Sequence, residues 1–332
     1  VGVDLIRTGK DDFYVLEDNC RTPSGVSYML ENREIMMKMF PDLFHSNRVL
    51  RVDDYPTRLL QTLMSLAPKK CESSVPTVVL LTPGHLNSAY YEHTFLSDQM
   101  GIEMVEAQDL FVENDFLYMK TVDGPKKIDV VYRRIDDDYL DPLAYNPNSV
   151  IGVPGITHVY KTGGVNICSA PGAGIADDKA VYIYVPEMIK FYLGETPILD
   201  NVQTWRCERD DDLKYVLENI DELVIKEVDG SGGHGMLIGP KSTKQEIEDF
   251  SSKLKLHPEG YIAQPTLDLS SSPTLIDNEI SGRRVDLRPF CLLGEKVQLC
   301  PGGLTRVALG KGSYVVNSSQ GGGVKDTWVL AD

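Results

Sequence analysis

The chain has 332 residues, 42% hydrophobic and 25% charged, long enough to bury more than one core and to divide into two or three globular units. Its net charge of −16 excludes a nucleic-acid surface, which needs a basic stripe, but not a nucleotide held by a few local cations. No apolar run approaches the roughly 20 residues of a membrane span, and Cys20, Cys71, Cys168, Cys207, Cys291 and Cys300 are scattered without a CxxC pair, which predicts free thiols in a reducing, cytoplasmic setting.

The opening runs "VGVDLIR" and "FYVLEDN" read as two strands joined by the turn "TGKDD". The chain starts in mid-strand, without Met and without a signal-peptide pattern, so further sequence is expected before Val1. Alternation puts Glu17 and Asn19 on one face and Asp18 on the other, and Asp4 on the neighbouring strand can sit opposite the first pair. Two carboxylates and a carboxamide oxygen suit a hard cation such as Mg²⁺, particularly one that also binds phosphate. A polar strand end capping a hairpin is the equal alternative.

Next, "SYMLENREIMMKMF" and "PTRLLQTLMSLA" have helical periodicity, and "KKCESSVPT" reads as a linker. "TVVLLTPG", "NSAYYEHTFLSDQMG" and "IEMVEA" form a strand, helix, strand unit, followed by the hairpin and strand of "LFVENDFLYMKTVDGPKKIDVVYRR". Residues 75–175 therefore predict a small doubly wound unit. "AVYIYVPEMIKFYLG" and "DDLKYVLENI" are helical, "ELVIKEV" is a strand, and "STKQEIEDFSSKL" is a helix with its N-cap and an early Glu. From "YIAQPTLDL" through "RRVDLRPFCLL", "EKVQLCPGGLTRVAL" and "GSYVVNSS" the pattern is strand after strand.

The sharpest chemical signal is "VIKEVDGSGGHGM". Lys226 sits on an apolar strand, and Gly230, Gly232, Gly233 and Gly235 follow within nine residues. Such a loop can wrap backbone N–H groups around phosphate, with Lys226 neutralising its charge. It is neither a Walker A loop nor a dinucleotide fingerprint, and a hairpin tip beside an unrelated lysine is the plain alternative. Lys179 follows two aspartates at a helix start, badly placed for the helix dipole unless it reaches an anion elsewhere. Arg284, Asp286 and Arg288 share one face of a strand, which is costly to bury without charged partners.

Glycine loop, strand lysine, arginine strand and E-x-N together resemble the ATP-grasp carboxylate–amine ligases. Their usual order runs from lysine and glycine loop to the adenine hinge, the arginine strand and finally E-x-N; here Asp4, Glu17 and Asn19 come first. The chain is similar throughout to the circularly permuted ATP-grasp type 2 family, through "VLEDNCRTPSGVSYMLENR", "TPGHLNSAYYEH", "IDVVYRRIDDDYLDPL", "ADDKAVYIYVPEMIKFYLGE" and "GGLTRVAL…VVNSSQGGGVKDTWVL". The resemblance implies an α/β ATP-grasp fold in four parts. Residues 1–70 would be the metal-binding part of the permuted lobe and 75–175 a Rossmann-like substrate domain. Residues 176–275 would carry the glycine loop and hinge, and 276–332 the remaining strands of the metal and phosphate lobe.

The resemblance also implies roles. Asp4, Glu17 and Asn19 would hold Mg²⁺; Lys179, Lys226 and the lid Gly230, Ser231, Gly232, Gly233, His234 and Gly235 would hold the ATP phosphates. Gln264, Thr266 and Leu267 would face the purine, with Asp268 a substitute for the acidic ribose ligand that Gln264 and Pro265 displace. Arg288 and Arg284 would stabilise the transferred phosphoryl group, and Arg21, Arg134 and Asp136 would meet the substrates. The activity implied is an ATP- and Mg²⁺-dependent joining of a small-molecule or peptide carboxylate to an amine through an acyl phosphate. A nucleotide-binding regulator or a phosphotransferase would use the same cleft. Neither the substrate pair nor the oligomeric state is legible.

Overall fold

The computed structural model describes residues 1–230, 235–310, 312–313, 316 and 321–331. Strands β1 (Gly2–Arg7) and β2 (Phe13–Asn19) open the chain, and helices α1 (Val26–Met39), α2 (Pro41–Asn47) and α3 (Tyr55–Ser65) follow. Gly25 enters α1 at φ 111°, and an added Cβ would lie 2.6 Å from the Leu304 side chain, so only glycine fits there. Helix α2, which periodicity does not reveal, starts on Pro41, whose missing N–H is no loss in a first turn.

The middle of the chain contains β3 (Val78–Leu81), α4 (Tyr90–Met100), β4 (Glu103–Val105), β5 (Leu110–Glu113), β6 (Phe116–Thr121), β7 (Gly124–Ile128) and β8 (Val130–Arg133). Short helices α5 (Asp137–Leu140) and α6 (Ile156–Lys161) precede β9 (Asn166–Cys168). The helix expected over 180–194 is two helices, α7 (Lys179–Tyr182) and α8 (Val185–Leu193), because Pro186 cannot continue the hydrogen-bond ladder and opens a new first turn.

Beyond them lie β10 (Asp200–Asn201), β11 (Trp205–Arg206), α9 (Asp210–Glu218), β12 (Leu223–Glu227) and β13 (Leu237–Ile238). Helix α10 (Lys244–Leu256) starts on a reciprocal Thr243–Glu246 capping box, and β14 (Tyr261–Pro265) ends this region. Strands β15 (Ser271–Ile276) and β16 (Glu279–Leu293) form a hairpin over Asp277 and Asn278, both at positive φ, the mark of a tight primed turn. β17 (Val297–Val307) and β18 (Gly323–Asp326) complete the described chain. Most of the strand expected over "GSYVVNSS" lies outside the described residues.

These strands assemble a mixed α/β fold. The largest sheet runs β10-β2-β1-β16-β17-β18, with β15 also on β16. The opening hairpin is thus joined to the "RRVDLRPF" strand, Gly2 opposite Phe290 and Leu5 opposite Leu287. The sheet β4-β3-β8-β9 is parallel, and β11-β14-β12-β13 is antiparallel around the glycine loop. On β3, Val78 and Leu80 pack with α1, α3 and Phe290, while Val79 and Leu81 pack with Val131, Ile156 and Val159. Period-two alternation therefore presses one face of the parallel sheet onto the helices of the large sheet. A third core, centred on Ile225, Leu237, Leu254 and Ala263, lies in the sheet of β12 and β14. Among the described residues, no helix is long and apolar enough to cross a membrane.

Candidate active site

The strand hairpin carries its polar end into a cleft of about 500 Å³. Asp4 lies directly opposite Glu17, and Gly2 opposite Asn19, so the expected register holds. Asp4 is wholly buried. Its Oδ1 accepts from Arg288 Nε at 2.5 Å, and its Oδ2 accepts from Arg288 Nη2 at 2.8 Å and Arg306 Nη2 at 2.6 Å. Burial opposes the charge, but the two guanidiniums outweigh it and hold the Asp4 carboxyl at about 2. Arg306 also binds Asp286 through Nε at 2.9 Å and Nη2 at 2.5 Å. Asp4 thus differs from the expectation: its oxygens face arginines rather than converging with Glu17 and Asn19. Among the described residues no three His, Cys, Asp or Glu side chains are arranged to hold a metal ion.

Glu17 and Asn19 remain as cleft-lining oxygen donors. The Asn19 Nδ2 is buried without a hydrogen-bond partner among the described residues, and turning the amide over would present its oxygen there instead. One carboxylate and one carboxamide fit a Mg²⁺ that takes its other ligands from phosphate and water. Asp18 is also half-buried at the cleft, and burial, with Asp177, Glu17 and Asp4 nearby, raises its carboxyl to about 6. Burial pushes the neighbouring Cys20 thiol up to about 11, so it stays protonated and serves packing.

Of the two expected lysines, Lys179 lines the other side of the cleft and Lys226 is not among the residues that line it. Lys179, the first residue of α7, donates to the Gly230 carbonyl and lies 3.8 Å from Glu17. Asp178 caps that helix by accepting from the Ala180 and Val181 N–H groups, which frees Lys179 for the cleft. Lys226 donates to Gln264 Oε1 at 2.7 Å, and burial lowers its pKa from the ordinary lysine value. Gln264 is itself buried and donates to Thr204 at 3.0 Å, so its carboxamide orients Lys226. Gly230 lines the cleft, and Gly235, at φ +70°, packs so closely on Glu227 that a Cβ would lie 2.6 Å from its carboxylate. Ser231, Gly232, Gly233 and His234 lie outside the described residues.

Thr266 donates to the Glu222 carbonyl, and Leu267 follows at the end of β14. Arg284 pairs with Asp268 at 2.8 Å, in a pocket of about 250 Å³ apart from Arg288. Of the residues expected at the substrates, Arg21 sits 3.3 Å from Asp136 and 3.6 Å from Asp177. Arg134 is buried, donates to the Pro23 carbonyl at 2.8 Å and pairs with Glu92 at 3.3 Å. All three line the cleft.

Sequence reasoning missed four contributors. Arg306 stands opposite Asp286 on β17, and because the Arg-Asp-Arg face already carries a net positive charge, nothing local in the sequence signalled a further arginine. Asp177 accepts from the backbone N–H of Cys20 at 2.5 Å and of Arg21 at 3.1 Å, tying the end of β2 to the segment that carries Lys179. Glu92 accepts from Gly25 N, Ser27 N and Ser27 Oγ, at 2.6, 3.1 and 3.0 Å. His93 lines the cleft and bonds Thr82 at 2.9 Å.

The family model described as circularly permuted ATP-grasp type 2 matches residues 1–308. An uncharacterized protein of Synechocystis is 54% identical over 330 residues, covering 99% of this chain and 68% of that protein. A Frankia casuarinae protein named "Putative glutamate--cysteine ligase 2-2" is 40% identical over 331 residues, 99% of this chain but 38% of its own length. The structure of a glutathione synthetase-like effector from Globodera pallida, in its apo form, superposes with a TM-score of 0.64 at 11% identity, covering 99% of this chain and 75% of that one. That likeness establishes the fold.

Proposed function

Because the chain belongs to the circularly permuted ATP-grasp type 2 family, we propose that it is an ATP-dependent carboxylate–amine ligase working through an acyl phosphate. One observation carries the reading. Glu17 and Asn19, Lys179 and Gly230, and Arg288, drawn from both ends of the chain and its middle, line one cleft. A carboxylate there takes the γ-phosphoryl group of ATP, ADP departs, and an amine displaces phosphate to leave an amide. The name of the Frankia relative supports a ligase of this class.

The chain's own residues act by position and charge. Lys226 and Lys179 face the phosphates from the glycine-loop side. Asp4 holds the Arg288 guanidinium side-on, and the Ser24 carbonyl accepts from its Nη1 at 3.1 Å, so Arg288 meets the cleft in a single orientation. Glu17 and Asn19 would hold Mg²⁺, which when bound supplies charge neutralisation to the phosphates. Asp177 keeps Asn19 in place by anchoring the two residues after it.

The test is the contrast between Glu17→Gln and Asp18→Asn. Mg²⁺-dependent binding of a nonhydrolysable ATP analogue should fall at least tenfold in Glu17→Gln and change little in Asp18→Asn. Equal losses, or a loss confined to Asp18→Asn, would overturn the metal assignment. Hydroxylamine in place of the amine traps an acyl phosphate as a hydroxamate, and ATP turnover without any hydroxamate from any carboxylate would overturn the ligase reading.

A further inference from the structure

The parallel sheet contributes a second wall to the cleft. Its order β4-β3-β8-β9 means that the chain leaves β3 toward one edge and leaves β8 toward the other. The gap between the carboxyl ends of β3 and β8 is therefore a topological switch point, where open parallel sheets bind ligands. The loops that leave those two ends, through Asn87, Ser88 and Ala89 and through Arg134 and Asp136, both line the cleft.

This wall is built of donors. His93 is 1% exposed, and its Nδ1 meets the Thr82 hydroxyl, whose oxygen already accepts from the Gly84 N–H at 3.2 Å. Of the two ring tautomers this contact allows, the one in which the Thr82 hydroxyl donates to Nδ1 leaves the ring proton on Nε2. Arg134, 4% exposed, has a buried Nε that finds no hydrogen-bond partner among the described residues. Helix α4, 11 residues long and without a side-chain N-cap at Ala89, points its positive end at the same wall. The Glu92 charge is absorbed by Arg134 and three N–H or O–H donors, and Asp136 is paired with Arg21.

Arg134 and Arg288 hold the carbonyls of Pro23 and Ser24, adjacent residues of one loop. We propose that this wall, formed by His93, Arg134 and the Asn87–Ala89 entry to α4, is a subsite for a second anionic group on the carboxylate substrate. It rests on the ligase reading for the identity of the first carboxylate, which reacts beside Arg288. The substrate class is then a dicarboxylate or a carboxylate with an equivalent remote anion, and not a simple monocarboxylic acid.

The probe is a panel of succinate, glutarate, adipate, L-aspartate and L-glutamate, set against butyrate and 4-aminobutyrate. Binding is measured by calorimetry on this chain with Mg²⁺ and a nonhydrolysable ATP analogue. At least one dicarboxylate should bind tenfold or more tightly than the monocarboxylate of equal length. Ser88→Asp puts a like charge at the exposed helix entry, where an acid also favours the helix, so the fold should persist. It should weaken the dicarboxylate at least tenfold and the monocarboxylate and the analogue less than twofold. His93→Leu, which removes a donor without adding charge, should weaken the dicarboxylate three- to tenfold. Binding of no dicarboxylate, equal binding of both acid classes, or no effect of Ser88→Asp would overturn the subsite. Selective binding without hydroxamate formation would instead remove the ligase reading and leave the subsite standing.

Discussion

The two sides of the cleft treat charge in opposite ways. On the β1, β16 and β17 side, Asp4, Asp286, Arg288 and Arg306 form a buried quartet whose two negative charges match its two positive ones. On the β12 and α7 side, Lys179 lies 3.8 Å from Glu17, and the Lys226 ammonium on β12 is held by a neutral carboxamide. A saturated network has its geometry set before any ligand arrives, whereas an under-compensated ammonium in a buried place favours whatever anion enters. In the proposed function the first side would position and the second would bind.

Breaking the quartet should produce the largest effect. Arg306→Met leaves Asp286 and part of Asp4 buried without their cation and should cost about 3–5 kcal/mol of folding stability, read from urea unfolding. A loss under about 1 kcal/mol would mean the quartet is hydrated and does not fix Arg288.

The converse holds across the cleft. Lys226→Met should weaken binding of the ATP analogue by about 1.5–3 kcal/mol while leaving stability unchanged or raised, because it removes an ammonium that no carboxylate among the described residues is bonded to. Unchanged nucleotide affinity in calorimetry would take Lys226 out of the site.

Gly235→Ala sharpens the same contrast. Its positive φ and the nearby Glu227 carboxylate should make the substitution cost about 1–2 kcal/mol, measured by thermal unfolding. A neutral result would show that the loop relaxes freely on the binding side.

The smallest effect concerns pH. Burial, and then the Arg134 charge, lower the His93 pKa from 6.5 to about 3. Between those values the unfolded chain takes up a proton that the native state refuses, so this contribution to stability is full above pH 6.5 and is lost as pH falls toward 3. Asp18, raised to about 6, works in the opposite direction as pH falls below 6, so the comparison needs a variant. The stability of wild type relative to His93→Phe should drop by about 1 kcal/mol from pH 6.5 to 5.5. An imidazole titrating near 6.5 by NMR would show that the donor wall is wetter than its burial implies.

Much of this was legible in the chain alone. Two-residue alternation put Glu17 and Asn19 on one face of β2 with Asp4 opposite Glu17, but it did not foresee that Asp18 also lines the cleft. The order of the E-x-N strand, glycine loop and arginine strand pointed to a permuted fold, and the continuous apolar "VVLL" strand, ending in a Pro-Gly turn, was recognisable as buried. Helix ends at the Thr243–Glu246 capping box followed from local chemistry, since the partners lie three residues apart. The break at Pro186 carried an equally local signal, since proline opens a first turn but cannot continue a helix.

What only the tertiary structure decided is which faces meet. Alternation states that Arg288 and Asp286 share a face but not that β1 and β17 flank them, so it cannot tell Asp4 held by arginines from Asp4 holding a cation. Arg306 and Asp286 are 20 residues apart, Arg306 and Asp4 are 302, and Asp177 and Cys20 are 157. Such pairs are set by strand register and by packing of the parallel sheet onto α1 and α3, in which Phe290, Val78 and Leu80 share a core. Local sequence determines the direction in which a side chain points; the burial of apolar surface between distant segments determines what it finds there.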